Sequence, residues 1–464
     1  MNDRDRTHRA NPQRVGPSPQ VLKAIKREMK LKGLTPSDRR MRSVARGLGA
    51  EPTKVAGLNE GIFYPEEELP RLASRSLRGA ALTPARAVRS RPTTGALRLL
   101  VLLVDFPDLP GKRPAKDFQA MLFSRGGYAT GSMHDFYREN SYGKLALDGE
   151  VVGWLRLPNP YPYYVGKDNG CSDDFPHNSQ GMVQDALAAA MKTMDFSRFD
   201  ADGDRYLDGL FVVHAGGGAE AEPDAAKRAK EMWSHQWNLP RAVTSGGVSA
   251  FAYLTVPEDC RVGVCCHEFG HMLGLPDLYD TTYESEGVGA WCVMAGGSWN
   301  GGGDTPGHLC AWSKTRMGWV KPRNVKSARS LELAPVEDHQ VVYRLWSKGQ
   351  VGSEYFLIEN RQRVKFDRDL PAGGLLIYRI NDAAHNNDHA GDYWVTVEQA
   401  DGARDLELMR NEGDAGDPWP GSARKIAFDA SSVPPAIDRL GRPTRVAVRR
   451  IHMVGDKVAC QVRV

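Results

Sequence analysis

Long apolar runs are missing from this 464-residue chain. The most apolar stretch, "LRLLVLLV" at 97–104, falls far short of the roughly 20 residues a membrane-spanning helix needs and suits a buried strand. The N-terminus, "MNDRDRTHRANPQRVGPSPQ", lacks the apolar core of a secretory signal. Either the chain stays inside the cell, or its first residue is not that of an exported precursor. Cysteine is sparse: seven residues, an odd count, with no CxxC spacing, which argues against both a disulfide scaffold and a cysteine zinc knuckle. Five of them (Cys260, Cys265, Cys266, Cys292 and Cys310) cluster and permit a local disulfide. There is no internal repeat and no nucleic-acid reading motif.

What is present is ordinary globular composition, 41% hydrophobic and 25% charged, in a chain long enough for two or three domains. Residues 1–50 hold 13 Lys+Arg against 4 Asp+Glu, a surplus of +9, and the remainder holds 48 against 53, so −5. A basic arm can contact nucleic acid or membrane, and salt-sensitive DNA binding would mark that reading. The preferred one is a solvated N-terminal segment on a mildly acidic body.

Three regions follow. Residues 1–95 form an N-terminal extension rich in Arg, Pro and Ser. They carry a helix from Ser18 or Pro19 to Gly33 with an apolar stripe of Val21, Leu22, Ile25 and Met29. A second, more polar helix is expected in "TPSDRRMRSVARGLG", then a linker at 70–95. Residues 96–322 alternate strands and helices. Residues 323–464 are short alternating strands with turns, which suggests a β-sandwich-like accessory domain. The fold class is α+β.

The chemistry concentrates in "CCHEFGHMLGLPDLYD" at 265–280. Residues four apart on a helix share a face, so His267 and His271 can point ring nitrogens at one ion. Glu268 lies beside the first ligand, placed to take a proton from a metal-bound water. Gly274 ends the helix with a turn that a Cβ would penalise, bringing Asp277 back as an oxygen ligand. HExxH alone occurs by chance on amphipathic helices; the complete HExxHxxGxxD is far more specific. Downstream, "WCVMAGGSW" at 291–299 places Met294 in a small-residue turn, matching the methionine turn beneath the zinc site of metzincin peptidases. In the rival, thermolysin-like arrangement Glu284 or Glu286 supplies the third ligand.

With "VMAGGSW" and "PGHLCAWSKTRMGWV", that stretch resembles the immune inhibitor A family of secreted bacterial metallopeptidases. The resemblance extends through "DFYRENSYGKLALDGEVVGW", "VVHAGGGAE", "GGLLIYRIN", "VEQADGARDLE" and "NEGDAGDPWPGS", roughly residues 97–430. It implies a metzincin-like zinc endopeptidase acting on proteins or peptides, with an N-terminal prosegment and an accessory β domain. Zinc would sit on His267, His271 and Asp277, Glu268 would be the base, and Met294 the turn methionine. It also implies export, against the missing signal.

A second ion is expected at "DADGDRYLD", 200–208. Asp200, Asp202, Asp204 and Asp208, with the Tyr206 carbonyl, offer the oxygen-rich shell that a structural calcium takes. Arg205 stands where similar loops carry a second glycine. For the oxyanion, His308, Asn300 and Tyr283 are candidates. A catalytically degenerate peptidase fold used as a binding module is the alternative, and it would lack a ligand or the base. The N-terminal extension is read as a prosegment, with Glu66, Glu67 or Glu68 blocking the metal, against an extension that packs on the back of the domain.

Overall fold

The computed structural model describes residues 12–31, 93–384, 386–388 and 391–464. The second N-terminal helix, most of the linker and Glu66–Glu68 lie outside the described residues. The chain divides into two compact units, residues up to 138 with 144–276, and residues 139–143 with 277–464.

The first unit is built on one mixed sheet. Its strands are β1 (Gln13–Arg14), β2 (Gly95–Asp105), β3 (Leu145–Arg156), β4 (Leu210–His214), β5 (His235–Ser245) and β6 (Val248–Pro257). Their order is β1-β5-β6-β4-β2-β3. β2 runs parallel to both neighbours, β3 and β4, so both of its faces are covered. That is why "LRLLVLLV" is apolar almost throughout: Leu99 to Val104 are fully buried. β5 is antiparallel to β6, and the two-residue β1 adds beside it through Gln13↔Gln236 and Arg14↔His235.

The expected N-terminal helix is present as α1 (Pro19–Leu31). Ser18 Oγ accepts the Val21 N–H at 3.3 Å, capping its first turn. Val21, Leu22, Ile25 and Met29 are buried, as the stripe required. Polar contacts hold this segment on the unit. Arg14 pairs with Asp168 at 3.0 Å, Arg228 pairs with Glu28 at 2.8 Å, and Trp233 Nε1 donates to the Val15 carbonyl at 2.8 Å. Four further helices matter: α2 (Ala115–Phe123), α3 (Met133–Asn140), α4 (Ser179–Ala190) and α5 (Val262–Met272).

In the second unit, β7 (Arg323–Asn324), β9 (Tyr343–Trp346), β10 (Glu354–Arg361), β11 (Gly374–Asn381) and β12 (Val395–Val397) form one sheet. β8 (Arg329–Leu333), β13 (Ala427–Phe428), β14 (Ala447–Val454) and β15 (Lys457–Arg463) form another. One hydrophobic cluster draws on both, with Leu345, Phe356, Ile358 and Ile377 from the first and Leu333, Val448, Ile451 and Val458 from the second. This unit starts at Asp277, earlier than the boundary at 322/323 read from composition. The reason is a buried polar core tying 277–322 to the strands. Trp291 Nε1 donates to Asp417 at 2.9 Å, and Arg361 donates to the Trp291 carbonyl at 3.0 Å. Arg361 also makes two bonds of 2.7 Å to Asp367.

Candidate metal centre

Helix α5 has no exposed residue along its length. Phe269 packs edge-on against Tyr137 with ring centroids 5.1 Å apart, and Tyr137 Oη donates to the Cys266 carbonyl at 2.5 Å. The helix is thus clamped at the turn that carries His267.

Its end is decided by Gly274, which takes φ +93°. The Leu275 N–H donates to the Gly270 carbonyl at 3.0 Å and the Gly274 N–H to the His271 carbonyl at 2.9 Å. Those paired bonds with a left-handed glycine make a Schellman turn. The turn supplies something the motif did not announce: the Leu275 carbonyl comes to 2.8 Å from His271 Nδ1. Nδ1 therefore carries the proton and Nε2 keeps its lone pair, the arrangement that orients a metal-binding histidine. His271 Nε2 lies 3.0 Å from His267 Nε2, a span one ion bound at about 2.0–2.1 Å from each can bridge.

Within the single stretch 267–277, one ligand atom each of His267, His271 and Asp277 lies within 4.8 Å of the others. Two imidazoles and a carboxylate oxygen are a zinc-type donor set with room for a fourth ligand. Glu284 and Glu286 do not join this group among the described residues. Glu268, next to His267, is fully buried. Met294 is fully buried too, and its carbonyl accepts the Leu278 N–H at 2.8 Å, one residue beyond Asp277. The methionine turn is therefore bonded to the segment that carries the third donor.

The loop at 200–208 brings together Asp200, Asp202 and Asp208. Arg205 adopts φ +71°, the conformation for which a glycine was expected. Asp204 falls outside the group of three. Its Oδ1 accepts the Tyr206 N–H at 2.8 Å, a bond that closes the loop. Asp208 is buried and accepts the Arg98 N–H at 2.7 Å and the Ala201 N–H at 3.2 Å, so it also anchors the loop to β2.

His308 requires a correction. Its ring is fully buried with both nitrogens engaged, Nε2 at 2.6 Å from Glu139 and Nδ1 at 3.0 Å from Lys314 Nζ. Burial lowers its pKa, and the nearby Asp367 carboxylate opposes that. A ring already using both nitrogens in a buried charge network has none to offer an oxyanion. Asn300 spends an amide N–H on the Ala290 carbonyl at 2.9 Å. Tyr283 is buried with φ +58°.

Residues 91–321 match the family described as immune inhibitor A peptidase M6, catalytic domain. Among curated proteins, the chain is 33% identical over 270 residues to a pre-pro-metalloprotease PrtV of Vibrio cholerae serotype O1. That alignment covers 47% of this chain and 29% of the relative. It is 34% identical over 278 residues to immune inhibitor A of Bacillus thuringiensis subsp. alesti, covering 48% of this chain and 40% of that one. The matched region is thus less than half of either relative's length. Among the described residues, no helix is long and apolar enough to cross a membrane.

Proposed function

Since residues 91–321 belong to the immune inhibitor A peptidase family, we propose that this protein is a zinc-dependent endopeptidase cutting internal bonds of proteins or peptides. The observation that carries this is the pair of Nε2 atoms 3.0 Å apart on α5, with Asp277 in the same group of donors. His267, His271 and Asp277 are assigned as the zinc ligands. Zinc held there supplies Lewis acidity and lowers the pKa of a bound water. Glu268 is the general base: it takes a proton at its carboxylate and passes it to the leaving amine. Its burial excludes bulk water from that transfer, and the Leu275 carbonyl holds His271 in the ligating tautomer. The donor set and the base are all present, which leaves the degenerate binding module without a supporting observation.

Three finer assignments accompany this one. Asp200, Asp202 and Asp208 hold a structural calcium, supported by their convergence in one loop. The two sheets of the second unit form the sandwich-like accessory domain, supported by their shared cluster. The N-terminal extension is a prosegment of an exported enzyme. The docking of residues 12–31 on β5 and on Arg228 supports it, as does the pre-pro form named for the Vibrio relative. In a chain starting near Thr94, peptide cleavage faster than in the full chain is the expected result, and equal rates would remove the inhibitory role.

The primary test is hydrolysis of casein or a fluorogenic peptide by the purified chain, before and after a zinc chelator. Cleavage that stops on chelation and returns with added zinc is the expected outcome. Cleavage indifferent to the chelator overturns the assignment.

A further inference from the structure

Cys260 and Cys265 are buried, 5% and 1% exposed, and their Sγ atoms lie 3.7 Å apart. Among the described residues, each of these thiols has the other as its hydrogen-bond partner. Cys260 closes the turn after β6, its N–H donating to the Pro257 carbonyl at 3.1 Å. Cys265 sits in the first turn of α5, its N–H donating to the Arg261 carbonyl at 3.3 Å. Arg113 fixes the turn from outside, Nη1 donating to the carbonyls of Glu258 at 3.2 Å and Cys260 at 3.3 Å. We propose that Cys260 and Cys265 form a disulfide in the exported enzyme, cross-linking the entry turn of the metal helix two residues before His267.

The geometry asks little. A disulfide needs its sulfurs about 2.05 Å apart, so they must close by less than about 2 Å, within reach of side-chain rotation between two ordered backbones. The other thiols differ. Cys292 Sγ accepts the Cys310 N–H at 3.4 Å, and the Ser313 hydroxyl lies 3.9 and 3.5 Å from the Cys292 and Cys310 sulfurs. Cys171 lies 3.4 Å from His235 Nδ1. Those sulfurs are engaged as thiols. Cys266 follows Cys265 on the helix and leaves it in a different direction, because successive positions diverge by about 100°. Cys292 and Cys310 also hydrogen-bond each other through their side chains, but the Ser313 hydroxyl is shared by both of those sulfurs. Among the described residues, Cys260 and Cys265 are the pair whose thiol contact no third side chain shares.

The bond forms by exchange with a small-molecule or protein disulfide of an oxidising compartment. One cysteine, as thiolate, attacks a sulfur of the oxidant, making a mixed disulfide and releasing one thiol. The second cysteine displaces the other thiol, closing the Sγ–Sγ bond. The oxidant takes up two electrons and the two protons. Burial of both sulfurs in the folded state places this step during folding, before β6 and α5 have packed over them.

The inference rests on the reading of the protein as exported, and its test separates the two. The full chain is made once with an export leader into a bacterial periplasm and once in a reducing cytosol. Each sample is acid-quenched, unfolded, alkylated and digested with trypsin. Arg261 lies between the two cysteines, so cleavage after it leaves a disulfide holding two peptides together until a reductant parts them. The periplasmic protein should show that linked pair with the other five cysteines alkylated, and the cytosolic protein should show none. Cys265→Ser should abolish the link and Cys266→Ser should keep it. Seven alkylated cysteines in the exported protein, or a link between other cysteines, overturns the proposal. Peptide cleavage is measured on the same samples: activity with all seven thiols free removes the disulfide alone, and a linked but inactive protein removes the peptidase reading alone.

Discussion

His271 Nδ1 lies 2.8 Å from the carbonyl oxygen of Leu275, and the bond exists because Gly274 reverses the chain between them. A residue outside the donor set thereby sets the tautomer of a donor. Gly274→Ala should destabilise the fold by about 1 kcal/mol, the usual cost of placing a Cβ at a left-handed position. It should also weaken zinc affinity by about 10-fold or more, in the range seen when a histidine ligand loses its orienting partner. Zinc titration beside a thermal melt checks both; unchanged affinity would show the Leu275 bond to be incidental.

Glu268→Gln separates base from ligand. The variant should retain the zinc stoichiometry of the parent and lose cleavage by about 10²-fold or more, the typical contribution of a positioned base. Metal analysis and a fluorogenic-peptide assay on the same preparation decide it. Parental rates in the variant would falsify the assignment.

Asp277 and Glu286 discriminate the third ligand. Asp277→Ala should lower zinc content and activity together, because among the described residues Asp277 alone joins the histidines in one donor group. Glu286→Ala should leave zinc content intact. The reverse pattern would favour the thermolysin-like arrangement.

Calcium at 200–208 should raise the melting temperature in proportion to the logarithm of its concentration once the site is near saturation. Asp202→Ala should abolish that response, since Asp202 is an exposed member of the group of three and carries less of the loop's own hydrogen bonding than Asp208. Asp204→Ala should preserve part of it, because Asp204 closes the loop through the Tyr206 N–H. A melt indifferent to calcium in the parent removes the site.

Glu220 gives a pH dependence of definite sign. Burial pushes its carboxyl up to about 7, against the bonds from the Ser234 hydroxyl and N–H that lower it. The folded state therefore binds this proton more tightly than the unfolded chain, whose carboxyl titrates near 4.3. The resulting stability is fully present below about pH 4.3 and is lost as pH rises through about 7. Glu220→Gln stays neutral throughout, so stability of parent minus variant should fall between those limits and level off above them. Denaturant melts of both proteins from pH 4 to 8 measure it; a constant difference would mean that Glu220 does not titrate in this window.

Local pattern made much of this legible. The i,i+4 histidines, the helix-ending Gly274, the stripe of α1 and the doubly buried β2 all follow from periodicity and backbone sterics, which act over a few residues. The Schellman turn could have been read from Gly274, but its consequence for His271 depends on where the carbonyl of Leu275, four residues along the chain, finally points. His308 shows the other side. Its place near the motif made it a candidate for the oxyanion, while its partners Glu139 and Asp367 come from distant parts of the chain. The same holds for Arg361, whose pairing with Asp367 and with the Trp291 carbonyl moves the unit boundary back to Asp277. Residue types at fixed spacing determined the chemistry on offer, because a helix maps spacing onto direction. Which polar groups are already spent was decided only by the tertiary structure, because a buried hydrogen-bonding group takes whatever partner folding brings to it.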